Sequence, residues 1–195
     1  MKKLLFTAAI AVLGFTSVNA QEDTTVGGFE KGDVFVSGSV GFSNSSFGDD
    51  SSDFFTIAPK AGYFVSENIA AGLKVGYESD TADNGVTDTR DETEFSVGVF
   101  GRYYFTPSSQ FSLFTELGVD YFSGENKLSD AEYDGFDIAF APGISYFVSK
   151  NFAIEATVGV LSYETEEYDG ASDSQDNFNV GLNFDDIRFG VVYKF

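Results

Sequence analysis

The chain has 195 residues, with 31 acidic against 11 basic side chains, a formal net charge of −20, and neither Cys nor His. So negative a field works against nucleic acid or anionic lipid surfaces as partners. Without Cys there are no disulfides, and without His there is no neutral-pH base for triad chemistry. Acidity alone would suggest disorder, but 17% aromatic and 43% hydrophobic residues argue for a packed structure.

Lys2 and Lys3 precede a largely apolar run, Leu4 to Phe15, and Val18-Asn19-Ala20 then offers small or branched residues before a cut. This pattern predicts a secretory signal peptide over 1–20, cleaved after Ala20. The run is too short for a membrane-spanning helix, which needs about 20 apolar residues, and no later segment supplies one. Residues 21–32 are expected to form a short periplasmic segment and 33–195 a single β domain.

Alternation dominates the rest of the chain and predicts strands at 33–42, 54–64, 69–78, 94–105, 111–122, 136–147, 152–163 and 184–195. One phase of each strand is apolar and uncharged. It opens with Val34, Val36, Gly38, Val40 and Phe42, runs from Phe152 through Val158 to Val160 in the seventh strand, and closes with Ile187, Phe189, Val191, Tyr193 and Phe195. The opposite phase carries Lys60, Lys74, Arg102, Glu116, Asp120, Asp137, Glu155, Asp186, Arg188 and Lys194 among Gly, Ala and Ser. An apolar outside with a charged inside inverts a soluble barrel and calls for lipid as the outer solvent.

Aromatics sort to the two ends of the apolar phase, such as Phe42, Tyr77 and Phe95 at one end and Tyr63, Tyr103 and Tyr193 at the other. About eight residues separate the two sets, roughly 20 Å at a tilt near 40°, close to an outer membrane's apolar band. A hairpin signal recurs: Tyr63-Phe64-Val65-Ser66-Glu67-Asn68, Tyr103-Tyr104-Phe105-Thr106-Pro107-Ser108 and Tyr146-Phe147-Val148-Ser149-Lys150-Asn151. Three short turns on one side imply four longer loops on the other, with both termini on the short-turn, periplasmic side. Pro59 and Pro142 interrupt this pattern, because each removes a ladder donor within a strand, so a bulge is expected near each.

With its closing Arg188, Gly190, Tyr193 and Phe195, the chain resembles the outer-membrane β-barrel domain family, small eight-stranded porin-family barrels of the OmpA/OmpX type. The resemblance covers essentially everything beyond the signal. It implies an all-β fold, an eight-stranded antiparallel up-and-down transmembrane barrel, monomeric, in the outer membrane of a Gram-negative bacterium. It also implies contact with outer-membrane lipids and lipopolysaccharide, and recognition of the terminal strand by the barrel-assembly machinery.

Little in the sequence points to chemistry. Catalytic barrels of this kind resemble one another in relying on histidine, which leaves only a carboxylate pair such as Glu116 with Glu155 as a candidate acid and base. In so narrow a lumen these acids are better read as partners of Lys60, Lys74, Arg102 and Arg188, a structural network that plugs the barrel. No catalytic residue, cofactor or dedicated metal site is expected. Asp80-Thr81-Ala82-Asp83-Asn84-Gly85 resembles a calcium loop only distantly, since Ala82 stands where an acid or amide is needed.

Segments 43–53, 78–94, 123–135 and 162–177 hold most of the acid and read as mobile surface loops, able at most to bridge divalent cations weakly. The expected role is structural or surface interaction, such as adhesion or envelope integrity. A narrow porin is the first alternative, and an envelope hydrolase a weaker one.

Overall fold

The structure is a computed structural model that describes residues 27–170, 173–181 and 187–195. The expected signal peptide, its cleavage point and Asp186 lie outside the described residues. Ten strand segments follow in order: β1 (Val34–Phe47), β2 (Asp50–Phe64), β3 (Ile69–Asp83), β4 (Asp88–Tyr104), β5 (Phe111–Asn126), β6 (Ala131–Phe147), β7 (Phe152–Val158), β8 (Leu161–Tyr168), β9 (Gln175–Val180) and β10 (Ile187–Lys194). All pairings are antiparallel, and β1 meets β10 to close the sheet on itself.

The ten segments build eight barrel strands. β7 and β8 both lie along β6, and β10 and β9 lie beside them, so each pair is one wall strand in two pieces. No helix among the described residues is long and apolar enough to cross a membrane.

The break between β7 and β8 has a cause in Pro142. Below it, Gly143 faces Thr157; above it, Phe140 faces Leu161, so the β7–β8 side holds one residue more than β6. Pro142 has no N–H to offer the ladder, and the extra residue forms a bulge opposite it. Val160 leaves the ladder's regular pattern but still donates its N–H to Phe140 C=O at 3.1 Å. At Pro59 the β2–β3 pairing lapses between Ile57 and Lys60 and resumes in the same register, so no bulge forms there.

The bulge corrects the expected face of the seventh strand. A one-residue slip sends every later side chain to the other face. Ile154 and Val158 lie on the outer phase of β7, whereas on β8 it is Leu161 and Tyr163, opposite Phe140 and Ile138, that face outward. Val160, like Ala141, lines the lumen cavity, not the lipid side where alternation placed it.

The outer hairpins are also more regular than expected. The β1–β2 ladder runs to Phe47 opposite Asp50, and the β3–β4 ladder to Asp83 opposite Asp88. The segments read as mobile loops are therefore mostly paired strand, turned at Gly48 and Gly85, whose φ of 65° and 77° lie in the left-handed region that favours glycine. On the other side the turns are short and self-capping. Ser66 Oγ accepts from Ile69 N–H at 3.0 Å and Ser149 Oγ from Phe152 N–H at 3.1 Å. Asn68 and Asn151 then donate to Tyr104 C=O and Lys194 C=O, at 2.8 and 2.7 Å, tying each turn to the next strand end. The repeated Ser-x-Asn thus satisfies backbone groups at the rim.

The outer face carries Val40, Leu73, Phe95 and Phe189, all well exposed, and Phe189 reaches 69%. A continuous apolar belt of this size is tolerable only against lipid.

Candidate functional site

The buried charges among the described residues, Arg102, Glu116 and Glu155, face the lumen, which is built in layers from the short-turn end. The lowest layer is aromatic. Phe35, Phe64, Tyr104, Phe114 and Phe147 project inward from their strands and are almost fully buried. Phe29, from the segment before β1, fills the space between them: its ring stacks on Phe64 at 4.6 Å and meets Phe147 edge-on at 4.9 Å and Tyr104 at 5.2 Å. Such inward rings need room on the neighbouring strand. A Cβ at Gly62 would strike the Phe35 ring, and one at Gly72 the Phe100 ring, so glycine beneath each aromatic is a packing requirement.

Above the rings lies Arg102, 3% exposed. Its Nε donates to Glu116 Oε2 at 2.6 Å and its Nη1 to both oxygens of Glu155 at 3.0 Å. Tyr104 Oη accepts from Nη1 at 2.9 Å, and Lys60 Nζ reaches Glu116 Oε1 at 2.5 Å. The guanidinium lies 4.5 Å from the Phe114 ring centroid and 5.3 Å from that of Phe100. Arg102 therefore has partners both in its plane and over its face, the condition under which a buried cation is tolerated. Glu116 and Glu155, the carboxylates weighed as a catalytic pair, both face the Arg102 guanidinium and act as its counter-ions.

One level outward, Lys74 pairs with Asp120, and Asp137 stands across the β5–β6 ladder from Asp120. A cavity of about 690 Å³ opens outward from the Arg102 layer, walled by Lys74, Glu78, Glu94, Asp137, Glu164 and Arg188 among others. Arg188 lines it without a salt bridge among the described residues. Of the lumenal charges read from the sequence, Lys60, Lys74, Arg102, Glu116, Asp120 and Glu155 are joined in direct pairs. Asp137 and Arg188 line the cavity with no such pair among the described residues.

In the terminal strand, Gly190 passes so near β1 that a Cβ there would sit 3.0 Å from Gly38 O. Tyr193 and Phe195 point outward and pack edge to face at 5.0 Å. Lys194 points inward, reaching Gly28 O at 2.5 Å and Asp33 at 3.1 Å.

The aromatic floor was not anticipated from the sequence. Its signal was present in the doubled aromatics Tyr63-Phe64, Tyr103-Tyr104 and Tyr146-Phe147, in which strand alternation must send one ring out and the other in.

An uncharged apolar wall around a buried ionic centre defines a transmembrane up-and-down barrel. The family model for the outer membrane protein beta-barrel domain matches residues 8–195, and the chain belongs to that family. Its fold is shared with solved outer-membrane barrels. Neisserial surface protein A aligns with a TM-score of 0.55 at 17% identity, over 83% of this chain and 97% of that one. OprG of Pseudomonas aeruginosa gives 0.53 at 15%, over 86% and 98%. Outer membrane protein W of E. coli gives 0.52 at 17%, over 85% and 99%. At such identities the likeness speaks for the fold. No curated protein matches the chain.

Proposed function

We propose that the protein is a non-conducting surface protein of a Gram-negative outer membrane, without catalytic activity, whose paired hairpins carry an acidic face to the environment in an adhesive or envelope-stabilising role. The observation that supports this is the filled lower lumen, where an aromatic layer and the Arg102 network leave the cavity above as a cup. Hairpin charges support the surface role: Asp50, Asp53, Asp80, Asp83, Asp88, Asp91 and Glu92 lie at or near the tips, against Arg90 bound to Asp80 and Lys127 near Asp91. Lipopolysaccharide is the neighbour such a face would meet, through weak bridging by divalent cations. Calorimetry is expected to show millimolar Mg²⁺ binding that disappears at high salt.

Single-channel recording in planar bilayers tests the closed lumen. Silence from protein whose folding is verified by heat-dependent gel mobility is the expected result. Steady unitary openings would replace this reading with a narrow pore for small solutes.

A further inference from the structure

The segment before β1 does more than lead the chain to the membrane. Gly27 and Gly28 are laid so close to the periplasmic rim that a Cβ at the first would collide with Phe147 and Ser149, and at the second with the backbone of Ser108. Phe29 N–H donates to Pro107 C=O at 2.7 Å, and the side chain turns up into the barrel, 1% exposed. Its ring meets Phe35 of β1, Phe64 of β2, Tyr104 of β4 and Phe147 of β6, so it touches widely separated parts of the wall. Gly32, with φ of 96°, and the 3.0 Å bond from its N–H to Phe64 C=O turn the chain back into β1. From the other end of the sheet, Lys194 holds the segment through Gly28 O and Asp33.

We propose that Gly27–Asp33 is a strap that closes the periplasmic mouth, with Phe29 as its stopper and Lys194 as its catch, and that its release admits water and small solutes to the lower lumen. Residues 27–31 of the strap join no ladder, and only its end is tied to β2, through Gly32 N–H to Phe64 C=O and Phe64 N–H to Asp33 C=O. Phe29 is held by ring contacts and one backbone bond, and Lys194 by two part-buried polar contacts at the rim. Such a local unit opens at lower free energy than the wall around it. Its release leaves the Arg102 layer in place, so the space gained is a second cup facing the periplasm. The proposal rests on the reading of the lumen as closed. Conductance decides that reading, and access to the lower lumen decides this one.

Ser145 supplies the reporter. It is fully buried on the lumen phase of β6, two residues from Phe147, and its Oγ has no hydrogen-bond partner. Because the chain contains no Cys, Ser145→Cys introduces the only thiol and changes little volume. The experiment follows the reaction of this thiol with a charged methanethiosulfonate reagent, using the full mature protein in lipid nanodiscs. With the strap intact, labelling is expected to be slow. Phe29→Ala is expected to accelerate it by at least about tenfold, as a local opening equilibrium shifts. Lys194→Gln, which removes no ring from the aromatic floor, is expected to accelerate it less but measurably, and it carries the test alone if Phe29→Ala does not fold. Rapid labelling with the strap intact, or unchanged rates in the folded variants, would overturn the proposal.

Discussion

Arg102 shows how one residue decides whether a barrel interior is stable. Replacing it with Leu leaves Glu116 and Glu155 buried without their cation, and losing one partner of such a set costs about 3–5 kcal/mol. Urea unfolding in detergent, followed by gel mobility, is expected to show a loss of that order for Arg102→Leu. Adding Glu116→Gln and Glu155→Gln should recover a measurable part of it, since the stranded charges are then gone. Asp83 makes a smaller point at a hairpin tip. Ser51 Oγ donates to it at 2.5 Å and Gly85 N–H at 2.9 Å, and these bonds hold its carboxyl below the usual Asp range. The bonds persist above the ordinary Asp pKa and are lost as pH falls through the depressed folded value. The Gly85 amide ¹⁵N shift is expected to titrate below pH ~3.9, the ordinary Asp value, and to stop titrating in Asp83→Asn. The inward charges were legible because a charge in one phase of a strand is conspicuous. Phe29 was not, because a lone aromatic outside any strand has no phase to read.

Strand number and pairing order were legible in the alternation and the repeated turns, which together carry the topology. Two things were not. Ladder pairing beyond the aromatic girdles is invisible to alternation, because with water on both sides polar residues such as Ser45, Ser51 and Thr81 satisfy either face. The phase change at Gly159-Val160 was hidden for another reason: Val158, Val160 and Leu161 are all apolar, so the slip leaves no mark in hydropathy. It predicts an inversion of tolerance. Val158→Arg places a charge on the lipid face and should cost about 2–4 kcal/mol if it lies near the bilayer midplane. Val160→Arg, facing an acid-lined cavity, should stay within about 0.5 kcal/mol of the parent. Equal penalties at the two positions, measured by refolding into lipid vesicles, would show that alternation runs unbroken through the bulge.

At the scale of the molecule, β1 and β10 share only the register pairs from Phe35–Lys194 to Gly38–Val191 among the described residues, whereas β5 and β6 are joined along their whole length, from Phe111–Tyr146 to Asn126–Ala131. A tube joined this unevenly has a preferred tear line. Under heat or mechanical load it should part between its first and last staves while the remaining wall stays laced. Amide deuteration of Ser37 and Val192 would then run ahead of that of Val119 and Ile138. If all four exchanged together, the cylinder would be giving way as one piece.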